Sequence, residues 1–128
     1  MEREHYNFLS KEILDSSITV HKEMGPGLLE AVYQHCLVKE LRMRNITVET
    51  MVPIPLVYKG HVLNKDYVID ILVENEIIIE LKSIESFLPV HEAQIISYLK
   101  LANKRLGFLI NFNVPLLKNG FKRFVNNF

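Results

Sequence analysis

The sequence is poor in cysteine and has no excess of charge of either sign. Its only cysteine is Cys36, and 15 Lys and Arg residues balance 15 Asp and Glu residues. A single cysteine excludes a disulfide framework and a zinc site built from cysteines. A net charge of zero excludes long-range attraction of nucleic acid by the protein as a whole, so any phosphate contact has to come from a local patch.

Long apolar runs are also missing. None approaches the roughly 18 residues that a membrane-spanning helix requires. The polar N-terminal stretch MEREHYNFLSKE lacks the apolar region of a secretory signal peptide, so we expect a cytoplasmic protein without membrane association. Hydrophobic residues still make up 48% of the 128 residues, which predicts a single domain over residues 1–128 with a sizeable core.

The most informative stretch is a predicted hairpin of two apolar runs, Tyr67–Val73 and Ile77–Leu81, around a short polar turn. Both runs are rich in β-branched residues, which favours strands. Directly opposed residues of antiparallel strands point to the same face. A three-residue loop therefore places Asp70 opposite Glu80, whereas a two-residue loop separates the two carboxylates.

Lys82 adds a positive charge to this pair of carboxylates. It lies two residues after Glu80, and side chains on a strand alternate between faces, so both project from the same face. Ionised groups in an otherwise apolar hairpin are costly to bury unless they are paired or hold a metal. The cluster has two interpretations: an ion pair from Lys82 to Asp70 or Glu80 at the rim of the sheet, and a metal site.

Apolar residues at three- and four-residue steps predict three helices around the strands. The helices run from the N-cap candidate Ser10 to Met24, from about Leu28 to a close at Arg42, Arg44 and Asn45, and from Pro89 to about Asn103. The other extended segments are Ile46–Tyr58, Arg105–Asn111 and Phe121–Val125, with Lys59-Gly60 as a hairpin turn. Prolines in the first segment suit the edge of a sheet. The element order predicts a mixed sheet with helices packed on it and its central strands covered on both sides.

Four motifs, taken in this order, resemble the PD-(D/E)XK nuclease superfamily in its RecB-like branch. The motifs are Gly27-x-x-Glu30-x-x-Tyr33, Asp70, Glu80-x-Lys82 and Gln94-x-x-x-Tyr98. The first is similar to the signature of the small GxxExxY proteins of that superfamily. The resemblance extends from about Ile13 to Val125 and departs from the pattern at Ile69, which stands where the superfamily name has proline.

The resemblance implies an α/β (α+β) fold with a PD-(D/E)XK nuclease-like mixed central sheet, flanking helices and the core order αβββαβ. It places the site where the strands of the hairpin splay. It implies hydrolysis of phosphodiester bonds in DNA or RNA with Mg²⁺, or Mn²⁺ in its place. It does not imply a particular substrate.

The expected metal ligands are oxygen atoms, because hard cations favour carboxylates, carbonyls and water. Asp70 and Glu80 supply two carboxylates, the carbonyl of Leu81 is well placed for a third contact, and Glu30 adds another directly or through water. The alternative for Glu30 is a carboxylate that complements the positive end of its helix.

The remaining expected catalytic residues surround these ligands. Lys82 is expected to orient the attacking water or to stabilise developing charge. Gln94 and Tyr98 are one helical turn apart and are expected to hold Lys82 or to contact the substrate phosphate. The alternative is a buried polar pair that ties the helix to the sheet. His91 lies on the same helical row, either as a ligand or proton-transfer group or, more simply, exposed in the first turn.

Three functions remain open from the sequence. The leading hypothesis is a metal-dependent nuclease that acts on DNA or RNA. The alternative is a nuclease-fold binding or accessory module without catalysis that acts with a partner protein, which the neutral net charge and small size favour slightly. The third is a metal-free structural protein whose hairpin carries an ion pair. In the first two cases, a homodimer or a protein partner is an expected source of substrate recognition.

Overall fold

The computed structural model describes residues 1–128, which form three helices and five strands. In chain order these are α1 (Arg3–Met24), α2 (Glu30–Met43), β1 (Val48–Tyr58), β2 (His61–Val73), β3 (Ile77–Lys82), α3 (Pro89–Leu101), β4 (Leu106–Asn111) and β5 (Phe121–Val125). A 3-10 turn, Leu117–Gly120, precedes β5. The five strands form one sheet in chain order, and only β3 and β4 are parallel. The mixed sheet and the core order αβββαβ confirm the predicted fold class.

The sheet is covered on both faces. One face packs against α1 and α2 in the larger core, and the other packs against α3 in a smaller core. Ile78 belongs to the smaller core and Ile79 to the larger one, and both are 0% exposed. This confirms that the central strands are covered on both sides. A charged side chain on β3 therefore starts from a desolvated position and needs partners or an opening.

Helix α3 connects the parallel strands β3 and β4 and packs unusually close to the sheet. The close approach occurs over Gly107, where an added Cβ would lie 3.1 Å from Ile95 Cδ1 and 3.3 Å from Leu99 Cδ2. Glycine at this position therefore lets α3 settle on β4. The helix that carries Gln94 and Tyr98 is in this way held directly against the strand that follows β3.

The two hairpins have the predicted turns. Lys59 and Gly60 both have positive φ, 48° and 79°, as expected for the tight turn between β1 and β2. The loop between β2 and β3 has three residues, because Val73 pairs with Ile77. Strand β1 lies at the edge of the sheet, as its two prolines predict.

The prediction that the first helix begins at Ser10 is wrong. Helix α1 begins at Arg3, and the Ser10 hydroxyl donates a hydrogen bond to the carbonyl of Tyr6 at 2.7 Å inside the helix. Tyr6 and Leu9 are buried and continue the apolar stripe of Ile13 toward the N-terminus. A serine that bonds back to the preceding turn satisfies its own hydroxyl and does not mark a helix start. None of the helices combines the length and apolar character needed to cross a membrane.

Candidate functional site

The candidate site lies where β2 and β3 stop pairing. The last residue pair of their ladder is Ile71 with Ile79. Beyond it, the main-chain N–H of Asp70 donates to Glu80 Oε1 at 3.1 Å, and the N–H of Leu81 donates to Asp70 Oδ2 at 2.8 Å. Each carboxylate thus takes the place of a ladder carbonyl on the opposite strand. The two carboxylates are brought together at the open end of the hairpin, in the predicted register.

Asp70 also lies at a break in the alternation of β2. Ile69 and Leu72 both pack in the smaller core, whereas Ile71 packs in the larger core. The residue of β1 that faces Asp70 is Met51, which is left out of the ladder and has φ 51°. A left-handed backbone is uncommon for a residue with a side chain and costs free energy. Both strands therefore depart from regular geometry at the position of the site.

Gln34 of α2 satisfies the backbone at this break. Its Nε2 donates to the carbonyl oxygen of Asp70 at 3.0 Å and also lies 3.4 Å from Met51 Sδ. Gln34 was not among the residues predicted for the site from the sequence. The available signal was its spacing, since it follows Glu30 by four residues and so shares a helix face with it. Helix α2 thus positions Asp70 as well as presenting a carboxylate of its own.

Glu80 is a buried acid with a strongly raised pKa. It is 5% exposed. Burial is the largest cause, followed by the negative charge of Asp70, and together they raise the pKa of Glu80 from 4.5 to about 9. The charge of Lys82 opposes this rise only weakly. In the metal-free protein at neutral pH, Glu80 is therefore protonated.

The ion pair that was one interpretation of the cluster does not form. The salt bridges of the protein join Arg44 to Glu12 and Glu40, and Lys122 to Glu92. Lys82 forms none of them, although it lies beside Asp70 and Glu80 in the wall of the same cleft. The ammonium group of Lys82 therefore remains available to an anionic ligand or to water.

Gln94 and Tyr98 meet on α3, as their spacing predicts. Gln94 Nε2 donates to the hydroxyl oxygen of Tyr98 at 2.9 Å. Tyr98 is 4% exposed, and burial first, with the charge of Glu80 second, raises the pKa of its hydroxyl above the usual 10. Neither side chain hydrogen-bonds to Lys82, so of the two roles expected for them, holding Lys82 and contacting the substrate phosphate, the second remains a prediction. Because Tyr98 accepts from Gln94, its own proton remains free to be donated.

His91 has a structural role at the start of α3. Its Nδ1 accepts a hydrogen bond from the main-chain N–H of Leu88 at 2.9 Å, and its ring lies 6.4 Å from that of Phe87. His91 does not line the cleft. His91 is half-buried and caps the helix. It is therefore neither a residue of the cleft nor a simply exposed residue, which were the two interpretations from the sequence.

The turn before α2 places Glu30 at the cleft. The two glycines of that turn, Gly25 and Gly27, have positive φ values of 72° and 92°. The hydroxyl of Tyr33 donates to the carbonyl of Gly25 at 2.6 Å and accepts from the N–H of Leu28 at 3.1 Å. The ring of Tyr33 stacks on Phe112 with centroids 4.5 Å apart. The buried tyrosine thus fixes the turn, and Glu30, exposed in the first position of α2, projects from it.

Two further polar side chains, both missed by the sequence analysis, hold the end of β3. The Ser83 hydroxyl donates to the carbonyl of Leu28, which ties β3 to the start of α2. Asn111, 2% exposed, accepts from the N–H of Ile84 at 3.1 Å and donates to its carbonyl at 2.9 Å. Asn111 could have been identified from the sequence, because it is a polar residue at the end of an otherwise apolar strand. These bonds fix the chain directly after Lys82.

One cleft of about 390 Å³ collects these elements. All seven residues that the sequence predicted for the site line it: Glu30, Asp70, Glu80, Leu81, Lys82, Gln94 and Tyr98. Four further residues complete the lining, namely Ala31, Gln34, Met51 and Val68. A groove of similar volume, about 410 Å³, lies between α1 and α2 and contains none of the predicted residues. A buried acid with a raised pKa and a lysine without a salt bridge occur together only in the cleft that holds the predicted residues, which we take as the candidate site.

The donor set of the cleft suits a hard cation that keeps part of its water shell. No three His, Cys, Asp or Glu side chains are grouped closely enough to form a metal site by themselves. The close pair Asp70 and Glu80 supplies two carboxylates, and the Leu81 carbonyl and Glu30 are further oxygens at the cleft. Mg²⁺ is commonly held by one or two carboxylates and several waters. The residues therefore fit Mg²⁺, on condition that the proton of Glu80 leaves.

Comparison with known proteins adds one finding. A family model described as the PD-(D/E)XK nuclease superfamily matches residues 7–124. No curated protein and no solved structure matches the chain. The matched residues include the whole sheet except the last residue of β5, and every residue of the cleft.

Proposed function

Because the chain belongs to the PD-(D/E)XK nuclease superfamily, whose members generally use divalent metals, we propose that it is a metal-dependent nuclease that hydrolyses phosphodiester bonds in DNA or RNA. We assign it within that superfamily to the small GxxExxY proteins of the RecB-like branch. Support for this assignment comes from the turn before α2, where Tyr33 fixes the chain that presents Glu30 to the cleft.

The proposal depends most on the pairing of Asp70 and Glu80. Two carboxylates held side by side at the desolvated end of a hairpin destabilise the metal-free protein, because one of them has to be protonated. The main-chain N–H groups that hold each carboxylate fix its direction without neutralising it. A divalent cation that replaced the proton would compensate the negative charge of both carboxylates.

The residues that would hold the ion are Asp70, Glu80, the carbonyl of Leu81 and Glu30, with Mg²⁺ or Mn²⁺ as the expected metal. When bound, such an ion neutralises charge on the phosphate and lowers the pKa of its water. Asp70 is held from two sides, by Leu81 N–H on its carboxylate and by Gln34 on its carbonyl, so its position is fixed before the ligand arrives. Preorganised ligands of this kind need no rearrangement at the moment of reaction.

Lys82 and the α3 pair act on the substrate side of the cleft. The ammonium of Lys82, free of salt bridges, would orient the attacking water or stabilise charge that develops on the phosphate oxygens. Tyr98 keeps its proton at neutral pH, as a tyrosine ordinarily does, and its raised pKa strengthens that preference; its hydroxyl accepts from Gln94. It is therefore set to donate its proton to a phosphate oxygen or to Glu80. Gln94 acts by positioning Tyr98.

A binding or accessory module without catalysis is the second candidate. The observation that favours it is the pKa of about 9 for Glu80, since a metal at neutral pH has to displace that proton. A net charge of zero also leaves substrate recognition to a partner protein or to a homodimer.

A cleavage panel tests the proposal. Purified protein is incubated with single- and double-stranded DNA and RNA in Mg²⁺, in Mn²⁺ and in EDTA. The proposal expects cleavage in Mg²⁺ or Mn²⁺ that EDTA abolishes and that Asp70→Asn greatly slows. Asp66→Asn, an exposed aspartate of the same strand outside the cleft, is the matched control and should cleave as the wild type does. No cleavage of any substrate by well-folded protein would favour the binding module.

A further inference from the structure

A groove of about 320 Å³ adjoins the cleft between β2 and α3. Its lining is Tyr67, Val90, Ala93, Gln94 and Ser97. Gln94 lines both the groove and the cleft, and Val68, the neighbour of Tyr67, lines the cleft. The two depressions therefore meet at Gln94, and a chain whose phosphate lies in the cleft can extend into the groove.

The groove carries no charged side chain. Its largest wall is the ring of Tyr67, which is 39% exposed and lies 5.0 Å from the ring of buried Tyr98 at an angle of 38°. The buried ring of Tyr98 thus packs against the ring of Tyr67. Val90, 63% exposed, adds an apolar surface without a protein partner. A flat aromatic ring beside small and apolar groups favours a flat, uncharged ligand.

The charges around the cleft disfavour a double helix. Lys82 is the only Lys or Arg among the residues of the cleft and the groove, which also contain three acids, Glu30, Asp70 and Glu80. Proteins that follow a duplex neutralise several phosphates with Lys and Arg side chains. Lys122, near the start of α3, is already paired with Glu92 at 3.0 Å. Affinity for nucleic acid therefore has to come from contacts other than a row of phosphates.

We propose that the groove binds an unpaired base of single-stranded nucleic acid, with Tyr67 as the stacking platform, beside a phosphate in the cleft. The proposal rests on the proposed function and names the substrate class of that site. Bases in a duplex are stacked and paired, so only an unpaired base can offer its face to Tyr67. Stacking on aromatic side chains is the common route to single-strand binding and requires few cations. Gln94 Oε1 and the Ser97 hydroxyl are the polar groups that can meet a base edge.

Binding without cleavage is the direct test. Fluorescence anisotropy is measured in Ca²⁺ with a short labelled DNA strand, the duplex of the same sequence, and a strand of the same length in which the bases are replaced by abasic sites. The same three probes are repeated as RNA. The intact single strand, as DNA or RNA, should bind more tightly than the duplex and the abasic strand. Equal binding of the intact and abasic strands would overturn the proposal.

Matched variants assign the effect to the groove. Tyr67→Ala should weaken binding of the intact strand by about tenfold or more, because stacking of one base is worth that much. Tyr67→Trp should preserve binding, and neither change should affect the abasic strand. Tyr58→Ala, an exposed tyrosine of the same hairpin roughly 14 Å away along the strand, four residues beyond the Ile54 partner of Tyr67, should have no effect. Equal losses in Tyr67→Ala and Tyr58→Ala would contradict a base site at Tyr67.

A filling variant guards against a change of fold. Ala93 is exposed on α3 and lines the groove, so Ala93→Leu narrows the groove in a position that tolerates the larger side chain. Ala93→Leu should weaken binding of the intact strand and leave the circular dichroism spectrum unchanged. Binding that depends on Tyr67 without any cleavage in Mg²⁺ would remove the nuclease proposal and keep the groove. Cleavage of duplex and single strand at equal rates, unaffected by Tyr67→Ala, would keep the nuclease proposal and remove the base-binding groove.

Discussion

Asp70 and Glu80 face each other at the open end of the hairpin, where the main-chain N–H of Asp70 donates to the Glu80 carboxylate at 3.1 Å. Burial first, and the negative charge of Asp70 second, raise the pKa of Glu80 to about 9, so that Glu80 is protonated at neutral pH. The hydrogen bonds fix the geometry, and the repulsion leaves the site in need of a cation. The stability and the proposed chemistry of the protein are therefore coupled through one pair of residues.

The pH dependence of stability should reveal this coupling in the absence of metal. The pKa of Glu80 is about 9 in the folded protein and 4.5 in its unperturbed state, so the folded state keeps a proton that the unfolded chain releases. The stabilisation from this proton is fully present at a pH below the pKa of Glu80 in the unfolded chain, and it is lost as the pH rises toward 9. From this group the free energy of unfolding should fall by up to about 1.4 kcal/mol per pH unit. Glu80→Gln should remove that slope in urea unfolding in EDTA, and an unchanged slope would contradict the raised pKa.

Metal ions should stabilise the folded protein, and more strongly at higher pH, because the ion competes with the proton of Glu80. A ligand that binds only the native state adds about 2.7 kcal/mol at a concentration about 100 times its Kd. Thermal melts in Mg²⁺, Mn²⁺ and EDTA measure the response. Asp70→Asn should reduce it and Asp66→Asn should not. Identical melting temperatures in all three buffers would count against a metal site of useful affinity.

Gln34 should contribute to both stability and positioning. Gln34→Ala leaves the carbonyl of Asp70 without its partner at 3.0 Å, which should lower the free energy of unfolding by about 1 kcal/mol. If cleavage is found, the same variant should reduce it, because Asp70 is no longer fixed. His35→Ala, the exposed neighbour on α2, is the control for both measurements. A loss of stability of equal size in His35→Ala would assign the effect to the helix and not to the hydrogen bond.

The left-handed backbone of Met51 gives a prediction that depends on neither metal nor catalysis. Glycine adopts φ 51° without strain and Met51 is 56% exposed, so Met51→Gly should be neutral or stabilising by up to about 1 kcal/mol. Met51→Ile should destabilise by about 1 kcal/mol or more, since β-branched residues rarely adopt positive φ. Urea unfolding of the two variants compares them directly. Greater stability of the isoleucine variant would show that the strand is regular at this position.

Much of the fold and of the site could be predicted from the sequence, because the signals were local. The register that opposes Asp70 to Glu80 follows from the length of one loop, and the pairing of Gln94 with Tyr98 follows from one helical turn. The covered strands follow from runs of β-branched residues. These features depend on spacing along the chain, which the sequence states directly.

The features that the sequence did not predict depend mostly on contacts between segments that are distant along the chain. Gln34 bonds to the backbone of Asp70, 36 residues away, and no pattern in α2 specifies that partner. The irregular backbone at Met51 lies in a stretch of ordinary strand composition. The unpaired state of Lys82 could not be predicted, because a charge cluster on a strand is equally compatible with an ion pair. The start of α1 was misplaced because Ser10 can serve a helix interior as well as a cap.

The most direct test compares Lys82→Ala with Lys11→Ala, an exposed lysine of α1 outside the cleft, in Mg²⁺-dependent cleavage of single-stranded DNA and RNA. Circular dichroism establishes that both variants are folded as the wild type is. If Lys82 stabilises charge at the phosphate, its removal should slow cleavage by about 10²–10³-fold, while Lys11→Ala cleaves at the wild-type rate. Cleavage by Lys82→Ala at the wild-type rate would contradict a nuclease site in this cleft.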